Sequence, residues 1–128
     1  MQLLLDTHAF LWWLVGEAAL SAKARKAVAD QRNAVYVSAA SAWEIATKHR
    51  LGKLPGVAAI VHNLQGTLTD QNFIGLPIDI EHAQVAGALP GPLRDPFDRM
   101  LIAQAALENL VLVSNEQAFE SYAVRRLW

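Results

Sequence analysis

Leu3-Leu4-Leu5-Asp6-Thr7-His8 sets three consecutive apolar residues directly before an acid and a hydroxyl-bearing residue. A short run of large apolar side chains with no polar alternation reads as a strand covered on both faces, the condition of a parallel sheet. Short oxygen-bearing side chains at its end read as the start of a helix, because they accept the free backbone amides of a first turn. In this reading Thr7 caps a helix over His8–Val15. The unit recurs: Val35-Tyr36-Val37 leads into Ser41, and Leu110-Val111-Leu112-Val113 leads into Ser114-Asn115. Strands that alternate with helices imply a parallel sheet covered on both faces. The fold class is therefore α/β, a three-layer α/β/α sandwich around a central, mainly parallel sheet, with residues 1–128 forming one domain.

The intervening segments fill in that frame. Ser21 opens an amphipathic helix to about Arg32, with Ala24, Ala27 and Val28 on its apolar side. A helix over Ser41–Arg50 is stopped by Gly52 and Pro55. Ala58–Leu68 is a further helix, and Phe73–Ile78 is a strand whose Pro77 suits an edge. Glu81–Leu89 is a short helix before the Pro90-Gly91-Pro92 loop. Pro96–Glu108 carries the clearest helix signals: Asp95 at the N-cap, Pro96 in the first turn and Asn109 for a left-handed C-terminus. Asn115–Tyr122 is a short last helix, and Arg125–Leu127 is an edge strand.

With 128 residues, 53% hydrophobic and 18% charged, the chain has the material for a sizeable core. It has no cysteine, which removes disulfides, zinc–thiolate sites and thiol catalysis and fits a reducing cytoplasm. The longest apolar run, Ala9 to Val15, is far short of a membrane span, and no basic leader precedes an apolar segment. A net charge of -1 is not that of a strongly basic nucleic-acid binder. The distribution is uneven, however. Lys23, Arg25, Lys26, Arg32, Lys48, Arg50 and Lys53 share one stretch, whereas Asp95, Asp98, Glu108, Glu116 and Glu120 lie in the last third. An acidic centre beside a basic surface suits a polyanion handled through metal ions; the same cations also suit the solvated faces of two helices.

Ligands of open α/β sheets bind beyond the carboxyl ends of the strands. Asp6, Glu44, Asp98 and Glu116 all fall at that edge in this reading. Each has a local explanation. Asp6 suits a helix start, Ser41 with Glu44 suits a capping box, Asp95 and Asp98 suit the positive end of a helix, and Ser114 with Gln117 suits another capping box. Together they form a pocket of like charges that a divalent cation relieves. Oxygen-only ligands select hard ions, Mg²⁺ or Mn²⁺, and such sites drive in-line displacement at phosphorus. Thr7 and Ser114 are either caps or hydrogen-bond partners of the acids, and Arg99 pairs either with Asp95 or with a partner's carboxylate. Trp12, Trp13 and Trp43 read as core or interface rather than as base-stacking platforms, and the four histidines lack metal-ligand spacing.

Other phosphate-handling designs fit less well. The chain has neither GxxxxGK[ST] nor GxGxxG. Asp6-Thr7-His8 is not the Asp-x-Asp of haloacid-dehalogenase-type phosphatases, and no lysine follows Lys53, as a receiver domain would require. No Ser/His/Asp arrangement supports acyl chemistry.

Leu4-Leu5-Asp6-Thr7-His8, Ser41-Ala42-Trp43-Glu44, the stretch Arg94 to Ala105 containing Asp95-Pro96-Phe97-Asp98-Arg99, and Leu112-Val113-Ser114-Asn115-Glu116 together resemble the PIN domain, and within it VapC-type toxins of type II toxin–antitoxin pairs. The likeness runs to the terminal Arg125-Arg126-Leu127-Trp128. It implies a Mg²⁺- or Mn²⁺-dependent endoribonuclease on single-stranded RNA, usually a homodimer, held inactive by a small antitoxin. It carries over Asp6, Glu44, Asp98 and, where the family more often has aspartate, Glu116 as metal ligands. A PIN-like module that binds RNA or protein without cleaving is the alternative. A DNA-directed 5′ nuclease would need helical elements for which the chain has no room.

Overall fold

The computed structural model describes all 128 residues. Strand β1 (Gln2–Leu5) is followed by helices α1 (Thr7–Val15) and α2 (Ala22–Ala29), then by β2 (Ala34–Ser38) and α3 (Ala39–Arg50). Two short helices, α4 (Ala58–Val61) and α5 (Leu64–Asp70), lead to β3 (Ile74–Leu76). Helices α6 (Ile80–Ala88) and α7 (Pro96–Glu108) precede β4 (Val111–Val113). A 3₁₀ turn (Gln117–Ser121) and β5 (Arg125–Leu127) close the chain.

The five strands form one sheet in the order β3-β2-β1-β4-β5, and every pairing is parallel. Successive side chains of β1 point to opposite faces. Leu3 and Leu5 join Phe10, Ala24, Val28, Val35, Val37 and Ile45 in the larger core. Leu4 joins Leu101, Ile102, Ala105, Leu112 and Phe119 in the smaller one. Both faces of β1 are therefore covered, and Leu3, Leu4 and Leu5 are each 0% exposed.

The chain runs outward from β1 through β2 to β3, then crosses back to β4 on the other side. The strand order reverses between β1 and β4, where a crevice opens beyond the carboxyl ends. The Asp6 amide extends the ladder by donating to the Val113 carbonyl at 3.1 Å, which fixes the two strand ends side by side. Helices α1 and α3 begin at this edge because they follow β1 and β2. Helix α7 also begins there, because its far end feeds β4.

Several local readings change in register. Asp6, not Thr7, caps α1, accepting the Ala9 amide at 2.7 Å; Thr7 is already helical. Helix α3 starts at Ala39 under Ser38, so the Ser41–Glu44 pair lies inside the helix and forms no capping box. The Ser38 hydroxyl stands at the strand end itself and claims the Ala40 amide with no spacer between strand and helix. Glu116, not Ser114, caps the last turn, which is 3₁₀. Helix α2 stops at Ala29, because Asp30 turns back to bind the Arg32 amide and guanidinium. Asn63 divides the Ala58–Leu68 segment by capping α5. Helix α7 spans the expected residues, with Asp95 as cap and Asn109 left-handed at φ 56°.

Candidate functional site

The four acids converge. Asp6, Thr7, His8, Glu44, Lys48, Asp95, Asp98, Asn115 and Glu116 line one cavity of about 100 Å³, and none of these side chains is hydrophobic. A larger cavity of about 290 Å³ lies against β3 and α5, but no titratable side chain lines it.

Each acid is held differently. Asp6 is 7% exposed at the end of the central strand. Its burial raises its pKa above the usual carboxylate value, against the pull of the Ser114 hydroxyl and the Ala9 amide. Glu44 is 4% exposed and has both oxygens engaged. Oε1 accepts from the Thr7 hydroxyl and Oε2 from Lys48 Nζ, each at 2.5 Å. The Ser41 hydroxyl lies 3.0 Å from Thr7 Oγ1 and completes a buried chain. Glu116 is exposed and uses Oε1 to cap Ala118 at 3.2 Å. Asp98 is half-buried and makes no side-chain hydrogen bond. Desolvation, followed by the charges of Asp95, Glu44, Asp6 and Glu116, lifts its pKa to about 7. A carboxyl displaced by burial and like charges in a cleft marks a candidate functional site.

The supporting residues divide. Thr7 donates to Glu44, while the Ser114 hydroxyl lies beside Asp6 and accepts the Glu116 amide at 3.0 Å. Asp95 is a cap, accepting from the Phe97 and Asp98 amides, and its charge also reaches the pocket. Arg99 pairs with no carboxylate of its own chain, Asp95 included. Its guanidinium donates to the carbonyls of Ala86, Gly87, Leu89 and Leu93 and so ties the α6–α7 loop to α7. The carbonyls left unpaired at the end of α6 are nearer to it than Asp95, and they account for its role. Lys48 and Ser41 were not legible as site residues. Lys48 stands one turn after Glu44, the only sequence signal that singles it out, and by pattern it belongs to a solvated helix face.

Trp12 packs against Trp128 and Trp13 against Phe73, both partly buried at the margin of the larger core. Trp43 differs: it is 63% exposed and meets the Phe97 ring edge-on at 5.0 Å.

A second group of possible metal ligands lies elsewhere. Asp79, His82 and Glu108 bring their ligand atoms within 4.8 Å of one another. His82 is 2% exposed, however, and both its ring nitrogens are engaged. Nδ1 accepts the Asp79 amide at 3.1 Å, which places the proton on Nε2, and Nε2 donates to Glu108 at 2.9 Å. Asp79 lies on the Nδ1 side and Glu108 on the Nε2 side, so one ion at either nitrogen does not gather both. This cluster is a helix cap and an inter-helix tie.

The PIN domain family matches residues 3–125. The chain belongs to the PIN-domain family. Ribonuclease VapC16 of Mycobacterium tuberculosis is 64% identical over 31 residues, which are 24% of this PIN chain and only 22% of that protein. VapBC2 from Rickettsia felis, solved bound to a DNA fragment from its promoter, superposes with a TM-score of 0.73 at 16% identity, covering 99% of this chain and 98% of that one. FitAB bound to IR36 DNA gives 0.64 at 17% identity, covering 99% and 94%. FitAcB from Neisseria gonorrhoeae gives 0.63 at 18%, covering 100% and 97%. At these identities the likeness is one of fold. No helix of this PIN domain is long and apolar enough to cross a membrane.

Proposed function

We propose that residues 1–128 act as one cytoplasmic PIN domain that hydrolyses phosphodiester bonds of single-stranded RNA with Mg²⁺ or Mn²⁺, as the toxin of a toxin–antitoxin pair. The observation that carries this reading is the convergence of four carboxylates on one cavity with no hydrophobic lining, with Asp98 pushed up to about 7. The names of the relatives, a VapC ribonuclease and the VapBC and FitAB complexes, point the same way.

The donor set fits a hard dication: all four acids offer oxygen, and Asp98 has no counter-charge of its own. Asp6 and Asp98 would hold the ion most directly, with Glu44 and Glu116 as further ligands or water-orienting groups. Such an ion, when bound, activates a water molecule and neutralises charge developing at phosphorus. The chain prepares the rest. The Ala9 amide orients Asp6, Thr7 fixes Glu44, and the first turns of α1 and α7 direct positive backbone ends at the pocket.

The antitoxin reading follows from the same charge. A small partner protein would lay an amphipathic segment along this domain and direct an arginine or lysine towards Asp6 and Asp98. Two copies of the chain would form a homodimer, which light scattering of the purified protein measures.

The deciding experiment incubates purified protein with mixed single-stranded RNA, with and without Mg²⁺ or Mn²⁺, beside Asp6→Asn. Metal-dependent cleavage lost in Asp6→Asn is the expected result. RNA binding without cleavage, with no affinity for either metal, assigns the domain to binding instead. Copurification from the native host is expected to yield a small second chain.

A further inference from the structure

We infer that Lys48 is the acid pocket's own counter-cation, which yields Glu44 to the metal ion and then meets the phosphate of the substrate. The inference rests on reading the pocket as a metal site.

Lys48 is the only lysine or arginine among the nine residues that line the cavity. It bonds a carboxylate that is 4% exposed, while its own side chain is 34% exposed. An ordinary i,i+4 pair on a helix surface contributes a few tenths of a kcal/mol and lies in water. This pair is different, because Glu44 is buried and its charge is costly to leave alone. Thr7 holds Oε1 by a neutral hydroxyl, so Lys48 is the only formal charge opposing Glu44 directly.

An ammonium and a dication repel each other and do not share one carboxylate oxygen inside a cavity of about 100 Å³. Either Lys48 or the ion neutralises Glu44. Lysine suits an exchange of this kind, since its charge is a compact head on a flexible stem, where arginine would grip both oxygens. Released from Oε2, the ammonium stays at the rim of the pocket. An anionic phosphate arriving at the acids meets it there.

The test uses the whole chain as wild type, Lys48→Met, Lys48→Arg and Lys53→Met, the last removing an exposed cation outside the cavity. Calorimetric titration with Mn²⁺ is expected to show about tenfold tighter binding by Lys48→Met, with Lys53→Met unchanged. Without metal, Lys48→Met melts below wild type; with saturating Mn²⁺ the two melt together, because Lys48 no longer supports Glu44. With RNA as substrate, KM rises severalfold in Lys48→Met while kcat holds.

Equal Mn²⁺ affinity, or a melting gap of the same size with and without Mn²⁺, makes Lys48 a plain structural ion pair and overturns the inference. Equal tightening by Lys53→Met assigns the effect to long-range charge and also overturns it. An unchanged KM refutes the phosphate contact. If Lys48→Met does not fold, Lys48→Arg decides: it binds Mn²⁺ more weakly than wild type if the inference holds and equally if it does not. A wild type that binds no Mn²⁺ at all refutes the metal reading itself, and this one with it.

Discussion

Two acid-bearing clusters in this molecule differ in how tightly their ligand atoms are gathered and in whether their charges are answered. At the sheet edge, Asp6, Glu44, Asp98 and Glu116 share one cavity, and Asp98 is lifted to about 7 by burial and by its neighbours' charge. Between α6 and α7, Asp79, His82 and Glu108 lie within 4.8 Å of one another and are joined by hydrogen bonds. Asp79 accepts the His82 amide, its own amide meets Nδ1, and Nε2 reaches Glu108. The first cluster holds like charges close to one another, and on the proposed reading a bound cation would relieve them. The second is a finished network that rigidifies two helices. The tighter gathering of ligand atoms belongs to the α6–α7 group, and the unmet charge to the sheet edge.

The largest way to break that comparison is Asp98→Asn. Cleavage is expected to fall about 10³-fold or more, which is about 4 kcal/mol of transition-state stabilisation. The metal-free melting temperature is expected to stay equal or rise, since the substitution removes a charge from the pocket. A large loss of stability with cleavage intact would make Asp98 a helix-start residue only. The opposite pattern is expected of His82→Ala. Loss of a buried, fully bonded ring with its cap and tie costs about 2–3 kcal/mol of folding stability. Mn²⁺ affinity, read by titration, is expected to stay as in wild type, and a clear loss would reopen the α6–α7 cluster as a metal site.

A smaller effect is expected at Glu116, the exposed member of the pocket. Glu116→Gln keeps an oxygen for the Ala118 amide and removes the charge. Cleavage should fall about tenfold, or about 1.4 kcal/mol, less than in Asp6→Asn. Raising Mn²⁺ should partly restore it, and Glu116→Asp should keep substantial activity. Wild-type rates for Glu116→Gln across the metal titration would leave the centre resting on three acids.

The smallest effect is a pH trend. Asp98 is raised from 3.8 to about 7, and Asp6 is raised as well. Over that interval the folded protein holds protons that the unfolded chain has released. The resulting stability is fully present below the unfolded value and is lost as pH rises through about 7. The metal-free melting temperature should drop by about 3–5 °C between mildly acidic and mildly alkaline buffer, equivalent to roughly 1 kcal/mol in a chain this size. Saturating Mn²⁺ should flatten the drop, because metal binding itself favours the ionised acids. A metal-free protein whose stability rises over the same interval contradicts the strain assigned to the acids.

What the sequence determined by itself was whatever local pattern encodes. Apolar runs at residues 3–5, 35–37 and 110–113 mark strands buried on both faces, and the parallel sheet follows from the helices between them. Helix α7 is legible to the residue, because Asp95, Pro96 and Asn109 each act on their own neighbours. The four acids were legible for the same reason: each lies within a few residues of a strand end or a helix start. The cap assignments slipped by a few residues because Asp6, Ser38 and Glu116 compete with nearby hydroxyls for the same amides, and strand ends decide between them. Only the tertiary structure decided which side chains answer one another across the chain. Thr7 meets Glu44 across 37 positions, His82 meets Glu108 across 26, and Arg99 takes four carbonyls of a preceding loop. Such pairings depend on where a folded backbone brings distant residues. Lys48 illustrates this best. One turn after Glu44 it is an ordinary helix-surface lysine, and it becomes part of the site only because folding buries its partner.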